Sequence, residues 1–353
     1  MKIEITKIDK SRLQSVDFDR LQFGEILSDH MVLMDYDNGR WLSPKIVPYG
    51  PMEIYPALCT FHYGQAIFEG LKAFYGHGGE IKVFRPDKYH ARMLRSSERL
   101  CIPDIGFETF ISSLKELLLL DRGWVPRKKG YSLYIRPFII AMDNFLGVRV
   151  SEKYRFMIIT SPVGAYYKEG INPVKLITSG EFVRAVRGGL GMAKTPANYA
   201  ASLYPGEEAK RKGFTQVLWL DGIERKYIEE VGTMNICFVI DEELVTPPLE
   251  GSVLDGITRQ TVIHLWKDRG KKVSERRISI DEVIETAKSG AMQECFGTGT
   301  AAVISPVGGI RHGDVNVVIN SGKIGPAAQS LYDEITGIQY GERPDRFGWC
   351  FKI

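Results

Sequence analysis

The sequence predicts a two-domain protein of mixed α/β (α+β) type. Three observations lead there. A chain of 353 residues is longer than one compact core organises well. Strand-like and helix-like periods alternate along it instead of segregating. Between two such regions, Ser161-Pro162-Val163-Gly164-Ala165-Tyr166-Tyr167-Lys168-Glu169-Gly170 keeps neither period and is rich in chain breakers. The expected division is a smaller N-terminal domain over 1–160, a linker over 161–172 and a larger C-terminal domain over 173–353. Within the first, about residues 1–27, including the mixed charges of Lys10–Arg20, read as an extension packed on the domain.

The elements follow in order. Asp87, after Pro86, is placed to cap a helix whose apolar side carries Tyr89, Met93 and Leu94. Phe110, Leu114, Leu117 and Leu118 repeat at helical spacing until Asp121-Arg122-Gly123. Tyr131–Ile140 and Tyr154–Ser161 read as buried strands. Past the linker come strands at Thr215–Asp221 and Asn235–Ile240, the latter turning at Asp241-Glu242 into Leu244–Thr246. Asp255 opens a helix with the stripe Thr258, Val262, Leu265 and Trp266, closed by Gly270. Ser279 and Glu282 form a capping box for a helix that stops at Gly290. No internal repeat or low-complexity segment is evident.

Composition narrows the function classes. Hydrophobic residues make up 44% and charged residues 25%, the balance of a water-soluble globular chain. The net charge of +3 comes without a sustained Lys/Arg stripe, which argues against nucleic-acid or membrane-surface binding and leaves a small anion compatible. Met1–Lys7 has no apolar core of signal-peptide length, and no apolar run nears the roughly 20 residues that span a bilayer. The expectation is a cytoplasmic protein. Cys59, Cys101, Cys237, Cys295 and Cys350 are odd in number and form no CxxC pair, so neither a disulfide framework nor a zinc site is expected.

Several segments carry possible chemistry. In Leu254-Asp255-Gly256-Ile257-Thr258-Arg259, a glycine at a helix start presents backbone N–H groups and the positive end of the helix dipole, which suits a phosphate; an ordinary capped helix start is the plainer reading. Gly297-Thr298-Gly299-Thr300-Ala301 is a second turn whose N–H groups suit an anion. Gly188-Gly189-Leu190-Gly191 lacks a dinucleotide-binding context. On the strand Tyr131–Phe138, Tyr134, Arg136 and Phe138 share one face, with Leu133 and Ile135 on the other. A phenol beside a guanidinium makes a carboxylate receptor, while a strand-end arginine paired with an acid accounts for the pattern more simply. By charge alone Arg92, among Arg85, Lys88, Arg95 and Arg99, reads as solvated. His62 and His90 have no metal-ligand spacing and read as structural. Lys194 has small neighbours that permit close approach of a ligand, in Gly191-Met192-Ala193-Lys194-Thr195-Pro196-Ala197-Asn198-Tyr199.

Taken together and in order, these segments resemble the branched-chain aminotransferases, members of the fold-type IV group of pyridoxal-phosphate enzymes. The likeness runs from about His62 to Trp349. It rests on His62-Tyr63-Gly64 with Phe68-Glu69-Gly70, Phe84-Arg85-Pro86 with His90-Ala91-Arg92-Met93, and Tyr134-Ile135-Arg136-Pro137. It continues through Leu146-Gly147-Val148, Gly164-Ala165-Tyr166, Ala193-Lys194 with Asn198-Tyr199, and Glu230-Val231-Gly232-Thr233-Met234-Asn235. Gly256–Arg259 and Gly297–Ala301 close the series.

The resemblance implies a two-domain fold-type IV architecture with its active site at the domain and subunit interface. It implies that Lys194 carries pyridoxal 5'-phosphate as an imine. Arg92, Ile257 and Thr258 would hold the phosphate, with Thr233 and Thr300 around it. Tyr199 would bond the ring hydroxyl oxygen and Glu230 the pyridine nitrogen. Phe68, Tyr63 and Tyr166 would line an apolar pocket, with Leu146, Val148 and Tyr63 reaching in from the partner subunit of a homodimer. Tyr134 and the Thr300–Ala301 backbone would receive the α-carboxylate, and Arg136 the distal carboxylate of glutamate or 2-oxoglutarate. The implied activity is transfer of the amino group of L-leucine, L-isoleucine or L-valine to 2-oxoglutarate and back. A D-amino-acid aminotransferase or aminodeoxychorismate lyase would share the lysine, the glutamate and the phosphate turn. A non-catalytic cofactor-binding protein, or a nucleotide binder using the Gly256 helix start, are readings from other classes. Two departures stand out. Ala302 and Ser305 occupy positions where animal members carry a CxxC pair, and Thr195-Pro196-Ala197 replaces frequent glycines.

Overall fold

The computed structural model describes residues 3–164 and 172–353, which divide into two compact units. The first takes residues 3–164 together with Ala193–Pro196 and Gly337–Ile353; the second takes 172–192 and Ala197–Thr336. The expected boundary put all of 173–353 in one domain. Two pieces instead belong with the first unit, because their partners lie there. The strand Cys350–Lys352 pairs antiparallel with Ile81–Phe84, and Arg85 N–H donates to the Trp349 carbonyl at 2.6 Å. Lys194 likewise accepts from Phe68 N–H through its own carbonyl.

Among the described residues the first unit holds a ten-stranded sheet. Its central strands are His30–Asp37, Tyr154–Val163, Ser132–Ala141 and Leu71–Tyr75, all antiparallel to their neighbours. The N-terminal extension is part of this sheet, since Glu4–Ile5 pairs parallel with Lys45–Pro48 at one edge. Ser161–Val163, expected in the linker, continue the strand Tyr154–Val163, with Ser132 opposite Val163. The middle of that expected linker lies outside the described residues.

Strand Ser132–Ala141 alternates as expected: Leu133, Ile135 and Ile139 are buried, while Tyr134, Arg136 and Phe138 are half-buried on the other face. Pro137 interrupts it without cost, because there the neighbouring chain changes over from Ala66–Phe68 to Leu71–Tyr75. Glu69 N–H donates to the Pro137 carbonyl, and nothing needs the missing proline N–H. Helix Phe107–Leu120 buries Phe110, Leu114, Leu117 and Leu118 completely. Helix Pro86–Arg99 starts differently from expectation. Arg85, at φ 49°, is the capping residue, Pro86 takes the first helical position, and Asp87 is an acid of the first turn.

Among the described residues the second unit holds a nine-stranded sheet that closes on itself. Ile228–Val231, Gln216–Leu220, Val174–Thr178, Val303–His312, Met292–Gly299 and Met234–Ile240 pair in a ring, the last returning to the first. Leu176, Leu218, Val231, Ile236 and Phe238 belong to its buried apolar cluster. Helix Ile257–Asp268 is capped by Gly256, one residue later than the Asp255 start expected, and Asp255 accepts instead from Gln260 Nε2. Helix Ile280–Ser289 has half of the expected capping box: Ser279 Oγ accepts from Glu282 N–H, while the Glu282 carboxylate turns to Arg276. No helix among the described residues is long and apolar enough to cross a membrane.

Candidate active site

In the first unit, some of the expected site residues gather near the segment Ala193–Pro196, with Phe68 bonded to Lys194 and packed against Arg136. The backbone of that segment is clamped on three points. Lys194 N–H donates to Ser96 Oγ at 2.9 Å, Phe68 N–H donates to the Lys194 carbonyl at 3.0 Å, and Thr195 Oγ1 donates to the Ala66 carbonyl at 2.8 Å. Thr195 is thus a buried fastener on the strand Ala66–Phe68. The half-buried Lys194 side chain places Nζ 4.9 Å from the centre of the Phe68 ring.

Arg92 is buried, so the solvated reading from charge alone is overturned. Its Nε and Nη2 form a bidentate pair with the two carboxylate oxygens of Glu69, each at 2.8 Å. Glu69 is fully buried next to Phe68, and its own Oε2 also accepts from Gly70 N–H. A buried carboxylate matched to a guanidinium fork fixes Arg92 in direction. Sequence reasoning did not single out Glu69; an acid inside the apolar run Ala66–Leu71 was the available signal.

Arg136 Nη2 donates to Tyr134 Oη at 3.0 Å, and its guanidinium lies 4.7 Å from the Phe68 ring centre. Among the described residues no carboxylate pairs with Arg136, and its buried Nε has no hydrogen-bond partner. The simpler reading, a strand-end arginine neutralised by an acid, does not hold. Gly70 makes the arrangement possible: a Cβ there would lie 1.9 Å from Tyr134 Oη. Phe23, from the N-terminal extension, packs edge-on against Tyr134 at 4.8 Å, a contact no local pattern announced.

Tyr63, Leu146 and Val148 are not brought into this cluster. Tyr63 ends the short helix Cys59–Tyr63, and Leu146 and Val148 are 66% and 85% exposed. Tyr166 lies outside the described residues. His62 bonds the Pro56 carbonyl, and His90 packs between the rings of Phe107 and Phe110, with burial pushing its imidazole below the usual histidine value against the opposing pull of Asp104.

In the second unit, Glu230 is the centre. Its buried carboxylate accepts from Asn235 Nδ2 at 3.0 Å and Leu254 N–H at 3.2 Å, and it pairs with Arg184. Asn235 also donates to the Leu254 carbonyl at 2.8 Å, tying the Glu230 strand to the loop that leads into helix Ile257–Asp268. Gly256 is required at this helix start, since a Cβ would fall 1.8 Å from Asn235 Oδ1. No side chain caps this 12-residue helix at Gly256, as an anion-binding start requires. Arg184 was not marked by the sequence, and Asn235 was marked only as the end of the Glu230–Asn235 run, with no role of its own.

The Gly297–Ala301 turn needs correction. Gly297 and Gly299 are in the strand Met292–Gly299, where a Cβ would lie within 3.0 Å of Met234; the turn itself begins at Thr300. Asn235 faces Thr298 in the antiparallel register, and Thr233 lies in the tight turn between the strands Ile228–Val231 and Met234–Ile240. Thr298 Oγ1 is buried with no hydrogen-bond partner among the described residues. Val303, just after the turn, has φ 63°, an uncommon backbone state for a β-branched residue. Tyr199 is half-buried on the helix Pro196–Ala200.

Taken unit by unit, these residues fit the chemistry of pyridoxal phosphate: the first offers an amine on a fixed backbone, and the second a helix start without a side-chain cap for a phosphate and a buried carboxylate for a ring nitrogen. The comparisons with known proteins agree. The model of the amino-transferase class IV family matches residues 66–310. The Bacillus subtilis (strain 168) branched-chain-amino-acid aminotransferase 2 is 53% identical over 100% of this chain and 97% of its own length. The Mycobacterium tuberculosis branched-chain-amino-acid aminotransferase is 47% identical over 94% of this chain and 92% of its own. Among solved structures, a T.th. branched-chain amino acid aminotransferase complexed with N-(5'-phosphopyridoxyl)-L-glutamate has a TM-score of 0.73 at 28% identity, covering 90% of this chain and 97% of that one. The chain belongs to the class IV aminotransferases, pyridoxal-phosphate-dependent transaminases of fold-type IV, and within them to the branched-chain-amino-acid aminotransferases.

Proposed function

We propose that the protein exchanges the amino group of L-leucine, L-isoleucine or L-valine with 2-oxoglutarate, in both directions, with Lys194 as the residue that bonds the cofactor. The clamped Lys194 backbone, with Nζ over the Phe68 ring, is the observation that carries this reading. Bound pyridoxal phosphate supplies an electron-accepting ring to the amino acid's α-carbon. The chain supplies position and protons. Lys194 Nζ would take the α-proton and return it. The Glu230 carboxylate would accept a hydrogen bond from the ring nitrogen, and Tyr199 Oη would bond the ring hydroxyl oxygen. Arg92, held by Glu69, and the N–H groups of Ile257 and Thr258 hold the phosphate, with Thr233 and Thr300 beside it.

Phe68 supplies the apolar wall for the aliphatic side chain. Tyr134 and the Thr300–Ala301 backbone take the α-carboxylate, and Arg136, whose Nε has no hydrogen-bond partner among the described residues, takes the distal carboxylate of 2-oxoglutarate. Tyr166 is assigned to the same apolar wall from the sequence alone. Leu146 and Val148, with Phe61 and Tyr63, form an exposed apolar surface on the first unit, which supports a homodimer in which Tyr63, Leu146 and Val148 complete the partner's pocket. The five free cysteines accord with a cytoplasmic location.

The decisive experiment is a visible absorption spectrum of the purified holoenzyme followed by addition of L-leucine, with D-alanine in parallel. Bleaching by L-leucine, and glutamate formation when 2-oxoglutarate is added, are expected. A response to D-alanine alone overturns the substrate assignment. Lys194→Ala should abolish turnover while circular dichroism stays native, and borohydride trapping should label the peptide containing Lys194. Label on another lysine would overturn its role.

A further inference from the structure

Four buried residues of the second unit form one network behind Glu230. Arg184 pairs with Glu230 and, through the same Nη2, donates to the Ser252 carbonyl at 2.7 Å. Ser252 Oγ in turn donates to Glu229. Glu229 and Glu230 are successive residues of the strand Ile228–Val231, so their side chains leave opposite faces, and Arg184 lies within electrostatic reach of both. Gly191 allows the backbone of Ser252 to come this close, since a Cβ at 191 would lie 2.0 Å from the Ser252 carbonyl oxygen. All four side chains belong to residues no more than 9% exposed, in a setting where a guanidinium and a carboxylate act on each other strongly.

We infer that Arg184 is the positioning residue of Glu230, keeping its carboxylate charged and aimed, and that Glu229 competes for the same guanidinium through Ser252. The inference rests on the reading of Glu230 as the partner of the ring nitrogen. Removing Arg184 takes away a cationic partner of Glu230, while the Asn235 amide and Leu254 N–H that also bond it are neutral. A buried acid in that state takes up a proton more readily and stops stabilising a charged ring nitrogen. Among the described residues Glu229 Oε2 has no hydrogen-bond partner, and Glu229 lines a cavity together with Arg187, Asp221, Tyr227, Glu250 and Arg277. Burial raises the Glu229 carboxyl above its ordinary value, and Asp221 adds to this, while Ser252, Arg184 and Arg277 oppose it. Arg184 contacts the Glu230 carboxylate directly and is linked to Glu229 through hydrogen bonds only by way of Ser252, which leaves the guanidinium to Glu230.

The test compares Arg184→Gln, which keeps hydrogen bonding and removes charge, with Arg184→Lys, which keeps charge. Both are made in the holoenzyme, with cofactor retention, the pH dependence of the visible band, and kcat and KM for L-leucine as readouts. Arg184→Gln is expected to lose about tenfold or more in kcat and to move the acid limb of the pH profile up by about one unit, with KM little changed. Arg184→Lys should recover most of both. Equal behaviour of the two variants, whether both intact or both impaired, overturns the inference. Should Arg184→Gln fail to fold, Glu229→Gln decides: relieving the competition should move the acid limb down, and an unmoved limb overturns the inference. Glu230→Gln separates the underlying reading. If it leaves kcat and the visible band unchanged, the assignment of Glu230 fails; if it impairs both while Arg184→Gln does not, only the role of Arg184 fails.

Discussion

At the residue scale, the site depends on buried charges whose partners are far away in sequence. Arg92 and Glu69 are 23 residues apart and exchange two hydrogen bonds of 2.8 Å out of contact with water. Breaking a buried pair by neutralising one member leaves the other charge uncompensated, which costs about 3–5 kcal/mol. Glu69→Gln should therefore lower the unfolding free energy by roughly 3 kcal/mol in a denaturant titration and weaken cofactor retention; a loss below about 1 kcal/mol would refute the pairing as a determinant of stability. Arg136 presents the opposite case, a guanidinium with an unfilled donor. Arg136→Ala should reduce kcat/KM for 2-oxoglutarate and glutamate by about 10- to 100-fold, the loss of a contact worth about 1.5–3 kcal/mol, and affect L-leucine far less. Equal losses on both substrate types would count against it. The sequence placed Tyr134 and Arg136 on one face by period alone, but their lack of an acidic partner became visible only once every neighbouring strand was in place.

Secondary-structure elements were legible wherever a period was long and uninterrupted. Phe107–Leu120 and Ile257–Asp268 follow their apolar spacing, because burial of one face decides where a helix forms. Helix starts were less legible. Arg85 and Gly256 cap through backbone geometry, which side-chain capping preferences do not encode. The turn after Gln216–Leu220 shows how such local geometry is held. Asp221 accepts from the N–H groups of Ile223, Glu224, Lys226 and Tyr227 at 2.7–3.1 Å. Burial alone would raise this carboxyl, but the four donors outweigh it and hold it below the ordinary aspartate value. A depressed folded-state value means stability that is present above the unfolded-state value and lost as pH falls through the folded one. Asp221→Asn should thus cost on the order of 3 kcal/mol near neutral pH, with the gap to the unmodified protein closing below about pH 4. A pH-independent gap in thermal unfolding would contradict this account.

For the whole molecule, assembly is the property most open to measurement. The exposed side chains Phe61, Tyr63, Phe145, Leu146 and Val148 cost free energy in water, and the proposed homodimer would cover them with a second copy. Val148→Asp should shift the protein to a monomer in sedimentation at micromolar concentration and abolish most activity, with the spectrum of circular dichroism unchanged. A fully active monomer would remove the partner's residues from the pocket.

The residues proposed to do the chemistry, and the order in which the chain presents them, could be named from sequence. Lysine, glutamate, tyrosine, arginine and a glycine-led helix start each bring a functional group that survives any change of scale, and local period decides the strand or helix that carries it. Tertiary structure alone decided the rest. It returned Ala193–Pro196 and Gly337–Ile353 to the first unit, moved Gly297 and Gly299 into a strand against Met234, and gave Arg92 and Glu230 their buried partners Glu69 and Arg184. The physical reason is common to all of these: strand pairing, ion pairing and steric room are relations between segments distant in the chain, and each exists only after both segments have been packed.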